Sequence, residues 1–192
     1  MTNLLSDVRK ILKIKASREV QKSTGNFVPT VKKNYGVSTS VLNDLANRFK
    51  NGGFELVEAL WKSCIYEEQL LAAKILGKIC KENPDRTINF IKNNINGITD
   101  WAVCDTLATQ GIRKIAKEKQ KELFELSRKC VLSKNFWHRR FGLVLLINFA
   151  KDKKTKENIE SILRKVENDK EPYVKKAVVW LKSKLEKIKS IN

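Results

Sequence analysis

The stretch TDWAVCDTL, residues 99–107, shows how this chain is built. Thr99 is of the type that caps helices, and the stretch reads as a helix that begins near Trp101. Aromatic residues recur at intervals of 36 residues, and aliphatic residues follow each of them at the same interval: Trp101, Trp137 and Tyr173, then Leu107, Leu143 and Val179. A period of this size is typical of helix pairs that stack on their neighbours because they cannot bury their own apolar face. The repeat therefore predicts an all-α, HEAT-like solenoid.

The rest of the chain supports an all-helical fold. Apolar residues are spaced three and four apart, as in the series Leu70, Ala73, Leu76 and Cys80, and no alternating run predicts a strand. Turn signals separate the helical segments, among them Gly52-Gly53, Asn83-Pro84 and Asn96-Gly97. We expect one HEAT-like domain over residues 1–192, with about ten to twelve helices.

The charge of the chain indicates an anionic partner. Its 39 Lys and Arg residues against 21 Asp and Glu residues give a net charge of +18, while 42% hydrophobic content indicates a folded protein. By our count from the sequence, the net charge is +7 over residues 1–50, −1 over 51–100, +6 over 101–150 and +6 over 151–192. Lysine runs on helices are often merely solubilising, but +18 is too large for that explanation alone. We expect a concave basic face that binds the phosphate backbone of a nucleic acid, with an acidic membrane surface as the second choice.

Several other classes of protein are disfavoured. No apolar run approaches the roughly 18 residues that span a bilayer, and charged residues interrupt any signal-peptide core in Met1–Lys15. We therefore expect a cytoplasmic protein. The four cysteines form no CxxC pair and His138 is the only histidine, so we expect no metal and no cofactor. A solenoid with its own DNA groove needs no partner subunit, which predicts a monomer.

Candidate site residues lie on three of the predicted helices. Trp101 and Asp105 are four residues apart, so the indole and the carboxylate share one face. Trp137 and Arg140 are three apart and share a face one repeat later. Because equivalent helices of a solenoid run side by side, Trp101, Asp105, Arg140 and Trp180 are expected to converge.

This set of residues has a chemical logic. Two indoles form a cleft for a cation or polarised C–H bonds, and the arginine can bind a phosphate. The carboxylate can stabilise positive charge on a sugar or orient a water molecule, as carboxylates do in glycosidases. The set therefore points to cleavage of an N-glycosidic bond in DNA.

Each residue also has a purely structural explanation. Trp101 and Trp180 could be core residues, and Asp105 could be a surface acid that pairs with a lysine. Arg139 stands beside Arg140, so one of the two must face elsewhere.

Ordered motifs along most of the chain resemble a known family. They are Tyr35-Gly36-Val37-Ser38-Thr39, the Trp61 helix followed by Glu67-Glu68 and Ala72-Ala73, Trp101 with Asp105, Trp137 with Arg140, and Lys175-Lys176-Ala177-Val178-Val179-Trp180. In order and spacing these motifs resemble the DNA alkylation-repair glycosylases of the AlkD type.

The resemblance implies a HEAT-like enzyme that removes alkylated purines from duplex DNA without drawing the base into a pocket. It implies that Asp105 is catalytic, that Trp101 and Trp180 contact the DNA backbone at the lesion, and that Arg140 holds a phosphate. Arg139, Lys175 and Lys176 are further candidates for backbone contacts. A tyrosine of the family near its N-terminal loop has no clear counterpart, since Phe27 and Tyr35 both lie in that region.

Two other functions fit the same composition. A non-catalytic HEAT-like protein that recognises DNA structure or acts as a repair scaffold would need the same basic surface. A protein-binding HEAT module would show no salt-dependent affinity for DNA.

Overall fold

The structure, a computed structural model, describes residues 2–186 of the chain. Within these residues it contains eleven α-helices, four short 3₁₀ helices and no β-strand. The α-helices are α1 (Thr2–Ile14), α2 (Arg18–Phe27), α3 (Thr39–Phe49), α4 (Gly53–Trp61), α5 (Tyr66–Ile79), α6 (Pro84–Asn94), α7 (Trp101–Thr109), α8 (Gln120–Val131), α9 (Phe136–Leu145), α10 (Lys156–Leu163) and α11 (Pro172–Glu186). The predicted all-α class is confirmed, and the helix number falls in the predicted range.

The chain packs as two compact units that divide between Lys114 and Ile115. In the N-terminal unit α3, α4 and α7 pack against α5, which is buried at every position except Tyr66 and Lys78. In the C-terminal unit α8 and α11 pack against α9. The predicted single domain over 1–192 includes residue 1 and residues 187–192, which lie outside the described residues, and it stays a prediction.

The 36-residue repeat corresponds to real helices. Trp101 is the first residue of α7, Trp137 the second of α9 and Tyr173 the second of α11. Each repeat thus begins a helix with an aromatic side chain in the first turn, and the 36-residue period lies within the range of repeats that stack on their neighbours. The predicted concave basic face stays a prediction.

A glycine lets neighbouring segments approach closely in the N-terminal unit. A Cβ atom on Gly77 of α5 would lie 2.3 Å from the carbonyl oxygen of Gln110, well inside van der Waals contact. The absence of a side chain at Gly77 therefore allows α5 to pack directly against the segment that follows α7.

Polar side chains fix the starts of the helices. Asn83 caps α6 by accepting a hydrogen bond from Arg86 N at 2.8 Å, with Pro84 at the first helical position. Asp100 caps α7 by accepting one from Val103 N at 2.8 Å. The prediction that Thr99 caps α7 is therefore wrong, because the chain enters the helix one residue later.

In the part of the chain that the structure describes, no helix is both long enough and apolar enough to cross a membrane. The cytoplasmic location and the monomeric state stay predictions.

Candidate functional site

Trp101 and Asp105 line one cleft of the N-terminal unit, as their spacing on α7 predicted. The cleft has a volume of about 600 Å³, and both side chains are half-buried in it. We call it the α7 cleft. It is lined by Glu19, Val20, Ser23, Thr24, Phe27, Val28, Thr39, Tyr66, Leu70, Lys74, Trp101, Ala102, Asp105, Thr106 and Gln110. The indole and the carboxylate therefore line the same open cleft.

A second carboxyl group lies close enough to Asp105 to interact with its charge. Asp100 is 2% exposed, and burial is the main cause that raises its pKa to about 6. The charge of Asp105 raises this pKa further, whereas hydrogen bonds from the N–H groups of Val103 and Ala102 lower it. The two carboxyl groups at the start of α7 are therefore electrostatically coupled.

Phe27, the last residue of α2, also lines the cleft. The ring of Phe27 meets that of Trp101 edge to face, with centroids 5.8 Å apart. Trp101 Nε1 also donates a hydrogen bond to the carbonyl oxygen of Phe27 at 3.4 Å. Phe27 is 75% exposed although it is large and apolar. Of the two aromatic candidates near the N-terminal loop, Phe27 is the one that lines the cleft.

Tyr35, the other candidate, is held by a buried glutamate of α5. Its hydroxyl donates to Glu68 Oε1 at 2.7 Å, and Arg9 forks onto the same carboxylate through Nε and Nη2, each at 3.0 Å. Burial and the hydrogen bond to Glu68 raise the pKa of Tyr35 to about 12. Tyr35 therefore links α1, the loop before α3 and α5.

The neighbouring glutamate holds the backbone of the same loop. Glu67 is fully buried and accepts hydrogen bonds from the N–H groups of Tyr35 at 2.8 Å, Gly36 at 2.8 Å and Val37 at 3.1 Å. Gly36 has a φ of +80°, a left-handed conformation that favours glycine, and its carbonyl accepts from Ser17 N, at the start of α2. The Glu67-Glu68 pair is part of the family motif in the sequence, but its sequence position alone does not predict this role.

Lys74 of α5 is a further cleft residue that was not predicted from the sequence. It is 7% exposed, and its Nζ atom donates to Asn43 Oδ1 at 2.7 Å and to Gln110 Oε1 at 3.3 Å. A lysine within an apolar helix is the only sequence signal that could have indicated it.

Arg140 and Trp137 lie on the face that α9 buries within the C-terminal unit. They are 6% and 7% exposed. Arg140 Nη1 donates to the carbonyl oxygen of Tyr173 at 2.6 Å, and the Trp137 and Tyr173 rings lie 4.8 Å apart. The predicted shared face of Trp137 and Arg140 is thus directed towards the start of α11.

Arg139 makes a dense set of contacts within the same unit. Its Nε and Nη2 atoms fork onto Asp169 at 2.6 and 3.2 Å, and its Nη1 atom donates to the carbonyl oxygens of Ser133 and Lys134 at 3.0 Å each. Burial would raise the pKa of Asp169, but the hydrogen bonds and charge of Arg139 lower it overall. Arg139 therefore joins the loop before α9 to the loop before α11.

The remaining candidates lie on α11. Lys175 and Lys176 are exposed, and Trp180 is half-buried one turn further along the helix. The structure thus brings Trp101 and Asp105 together in one unit and places Arg140 and Trp180 in the other. The convergence of all four stays a prediction. Within residues 2–186, no group of three or more His, Cys, Asp or Glu side chains is arranged to hold a metal ion.

Comparison with known proteins gives one match. A family model described as DNA alkylation repair enzyme matches residues 8–186, a range that includes every predicted site residue. This match confirms the family resemblance. No curated protein and no solved structure matches the chain.

Proposed function

The chain belongs to the family of DNA alkylation repair enzymes, and from this premise we propose that it is a DNA glycosylase. Its substrates are purines that alkylation has made cationic, in duplex DNA, and it hydrolyses their N-glycosidic bonds. The observation that carries the proposal is the α7 cleft, where the Asp105 carboxylate and the Trp101 indole line the same space.

Asp105 acts on the sugar in this proposal. When the bond between C1′ and the purine nitrogen breaks, the electron pair leaves with the cationic base, which becomes neutral. The sugar then carries positive charge, and a carboxylate stabilises that charge better than it stabilises the ground state. Water adds to C1′ and gives up a proton to Asp105. The neutral base and an abasic sugar are the products.

The aromatic side chains position the sugar and the backbone. Trp101 and Phe27 present an edge-to-face pair at the cleft, and their π faces attract the positive charge that develops on the sugar. Phe27 fills the place for which the sequence offered no clear tyrosine. Trp180 is assigned the second indole contact of the DNA backbone.

Cationic side chains of the C-terminal unit bind phosphates in this proposal. Lys175 and Lys176 are exposed on α11, and electrostatic attraction supplies much of the affinity of such surfaces for DNA. The family resemblance assigns one phosphate to Arg140, which is 6% exposed and whose Nη1 atom donates to the carbonyl oxygen of Tyr173. Arg139 is also a weak candidate, because a DNA contact would compete with its two hydrogen bonds to Asp169.

The test compares wild type with Asp105→Asn on methylated duplex DNA under single-turnover conditions. Released bases are identified by mass spectrometry. We expect wild type to release methylated purines and Asp105→Asn to bind DNA equally while excising more slowly by about 10² or more. Asp44→Asn, an exposed change on α3, serves as the matched control and should excise like wild type.

Three outcomes would contradict the proposal in different ways. Equal release of methylated purines by wild type and Asp105→Asn would show that Asp105 is not the catalytic carboxylate. Salt-dependent DNA binding without base release would support a non-catalytic protein that recognises DNA structure. The absence of salt-dependent DNA affinity would support a protein-binding module.

A further inference from the structure

Lys74 lines the α7 cleft but takes no part in the proposed glycosylase reaction. It projects from α5, the most buried helix of the N-terminal unit, and lines the α7 cleft together with Asp105. Lysine is seldom as buried as the 7% exposure found here unless it is paired with a carboxylate. Its presence therefore calls for an explanation.

The surroundings of the Lys74 amine lower its pKa. Its two hydrogen-bond partners are the side-chain amide oxygens of Asn43 and Gln110, which carry no charge. Burial lowers the pKa of Lys74, and the charge of Lys78, one turn along the helix, lowers it further. Among residues 2–186 no carboxylate forms a salt bridge with Lys74 that would oppose these effects. The neutral amine is the nucleophilic form of lysine.

Lys74 also lines a second cavity, which is strongly cationic. This cavity has a volume of about 210 Å³, and Lys78, Arg113 and Lys114 contribute to its lining. Lys114 is anchored there by a hydrogen bond from its Nζ atom to the carbonyl oxygen of Lys78 at 3.2 Å. Lys74 therefore contributes to the lining of a cleft that holds a carboxylate and of a cavity whose cationic lining suits a phosphate group.

We propose that Lys74 is the nucleophile of a second activity, cleavage of the DNA strand at abasic sites. The proposal rests on the proposed function in one respect, namely that the α7 cleft receives the DNA sugar. An abasic sugar is the product of base removal, and its ring-opened form carries an aldehyde at C1′. The chain would thus act twice at the same nucleotide.

The chemistry needs no oxidant, reductant or further reactant. The Lys74 nitrogen lone pair forms a bond to C1′, and one proton moves from that nitrogen to the C1′ oxygen. The oxygen takes up a second proton from solvent water and leaves as water, which gives an iminium ion. The Asp105 carboxylate removes a proton from C2′, and the electrons of that C–H bond form the C2′–C3′ double bond. The C3′–O bond breaks, and its electron pair leaves with the 3′ phosphate. Water then hydrolyses the imine and regenerates the Lys74 amine.

The test uses the full chain and duplex DNA that contains one abasic site prepared beforehand. Borohydride adds hydride to an iminium ion and converts it to a stable secondary amine, so the intermediate is trapped as a covalent protein–DNA adduct. We expect wild type to form the adduct, and peptide mapping by mass spectrometry to locate it on Lys74. Without borohydride we expect a strand break on the 3′ side of the abasic site.

Substitutions at Lys74 and Asp105 distinguish formation of the adduct from cleavage of the strand. Lys74→Met should lose both the adduct and strand cleavage, whereas Lys81→Met, an exposed change just after α5 and outside both cavities, should retain both. Asp105→Asn should still form the adduct but cleave more slowly. Because mapping on wild type identifies the nucleophile directly, the test stands even if Lys74→Met does not fold.

The outcomes separate this inference from the proposed function. No adduct in wild type, or an adduct on any other amine, overturns the role of Lys74. The abasic duplex needs no base removal, so adduct formation is independent of glycosylase activity, which is measured in parallel on methylated duplex. Base release without an adduct would leave the proposed function intact and refute only this inference.

Discussion

At the scale of single residues, Asp100 at the start of α7 makes the stability of the fold depend on pH. Asp100 caps the helix that carries Asp105, and its pKa is raised to about 6, chiefly by burial. The folded state therefore binds the Asp100 proton more tightly than the unfolded chain does. From about pH 4, near the ordinary pKa of an aspartate, to about pH 6, stability falls as pH rises because the unfolded chain gives up this proton first.

Replacing Asp100 with Asn isolates this effect, because asparagine caps helices about as well as aspartate but does not titrate. We expect the difference in unfolding free energy between Asp100→Asn and wild type to move in favour of the variant by at most about 3 kcal/mol between pH 4 and pH 6. Urea unfolding at a series of pH values measures it, with Asp44→Asn as the control. A difference that stays constant with pH would contradict the assignment.

Helical spacing predicted which residues share a face but not which way the face points. The pairing of Trp101 with Asp105 follows from the period of the helix, and the structure directs that face into a cleft. The same logic paired Trp137 with Arg140, yet that face is buried towards Tyr173. The direction of a helix face depends on its neighbours, and local spacing contains no information about them.

At the scale of elements, α2 is a wall of the cleft with little packing of its own. None of its residues is buried. Two hydrogen bonds join its first half to the loop before α3: Ser17 N donates to the carbonyl oxygen of Gly36, and Gln21 Nε2 donates to that of Asn34 at 3.0 Å. At its other end, the ring of Phe27 contacts that of Trp101. Since Glu67 holds the loop of residues 35–37, that buried carboxylate indirectly positions α2.

Glu67→Gln tests this arrangement. A side-chain amide offers one acceptor oxygen and turns an NH₂ group towards backbone donors, so the three N–H bonds cannot all be kept. We expect a loss of about 1.5–3 kcal/mol in stability, together with faster hydrogen exchange at the amides of Gly36 and Val37 and throughout α2.

The matched control for this prediction is Glu55→Gln. Glu55 is an exposed glutamate on α4 that pairs with Arg86 at 2.9 Å. Its replacement should leave hydrogen exchange in α2 and in the 35–37 loop unchanged. Equal exchange in Glu67→Gln and wild type would show that α2 is positioned by other contacts.

Element boundaries were more predictable than the contacts between elements. The turn signals at Asn83-Pro84 and at residues 99–100 place the starts of α6 and α7 to within one residue. By contrast, Phe27 meets Trp101 across 74 residues of sequence, and Lys74 meets Gln110 across 36. Such contacts depend on tertiary packing, so Phe27 and Lys74 could not be identified as cleft residues from local patterns.

At the scale of the whole molecule, the question is whether the net charge of +18 acts diffusely or through particular side chains. A diffuse charge attracts any polyanion at long range, whereas a phosphate contact displaces a counterion at one position. The two cases differ in how the affinity for DNA depends on salt, because each phosphate contact contributes about 0.9 to the slope of log K against log salt concentration.

Lys175 and Lys176 allow this distinction to be made. Both are exposed on α11, and we expect the double change to glutamine to reduce the magnitude of the salt slope by about 2 if each lysine contacts one phosphate. Lys117 and Lys129 are also exposed, so the same double change there removes equal charge from positions without a predicted contact. Fluorescence anisotropy on an unmodified duplex over a range of salt concentrations measures both slopes. Equal reductions in the two double variants would mean that DNA is attracted by the overall charge, and α11 would then have no special part in binding.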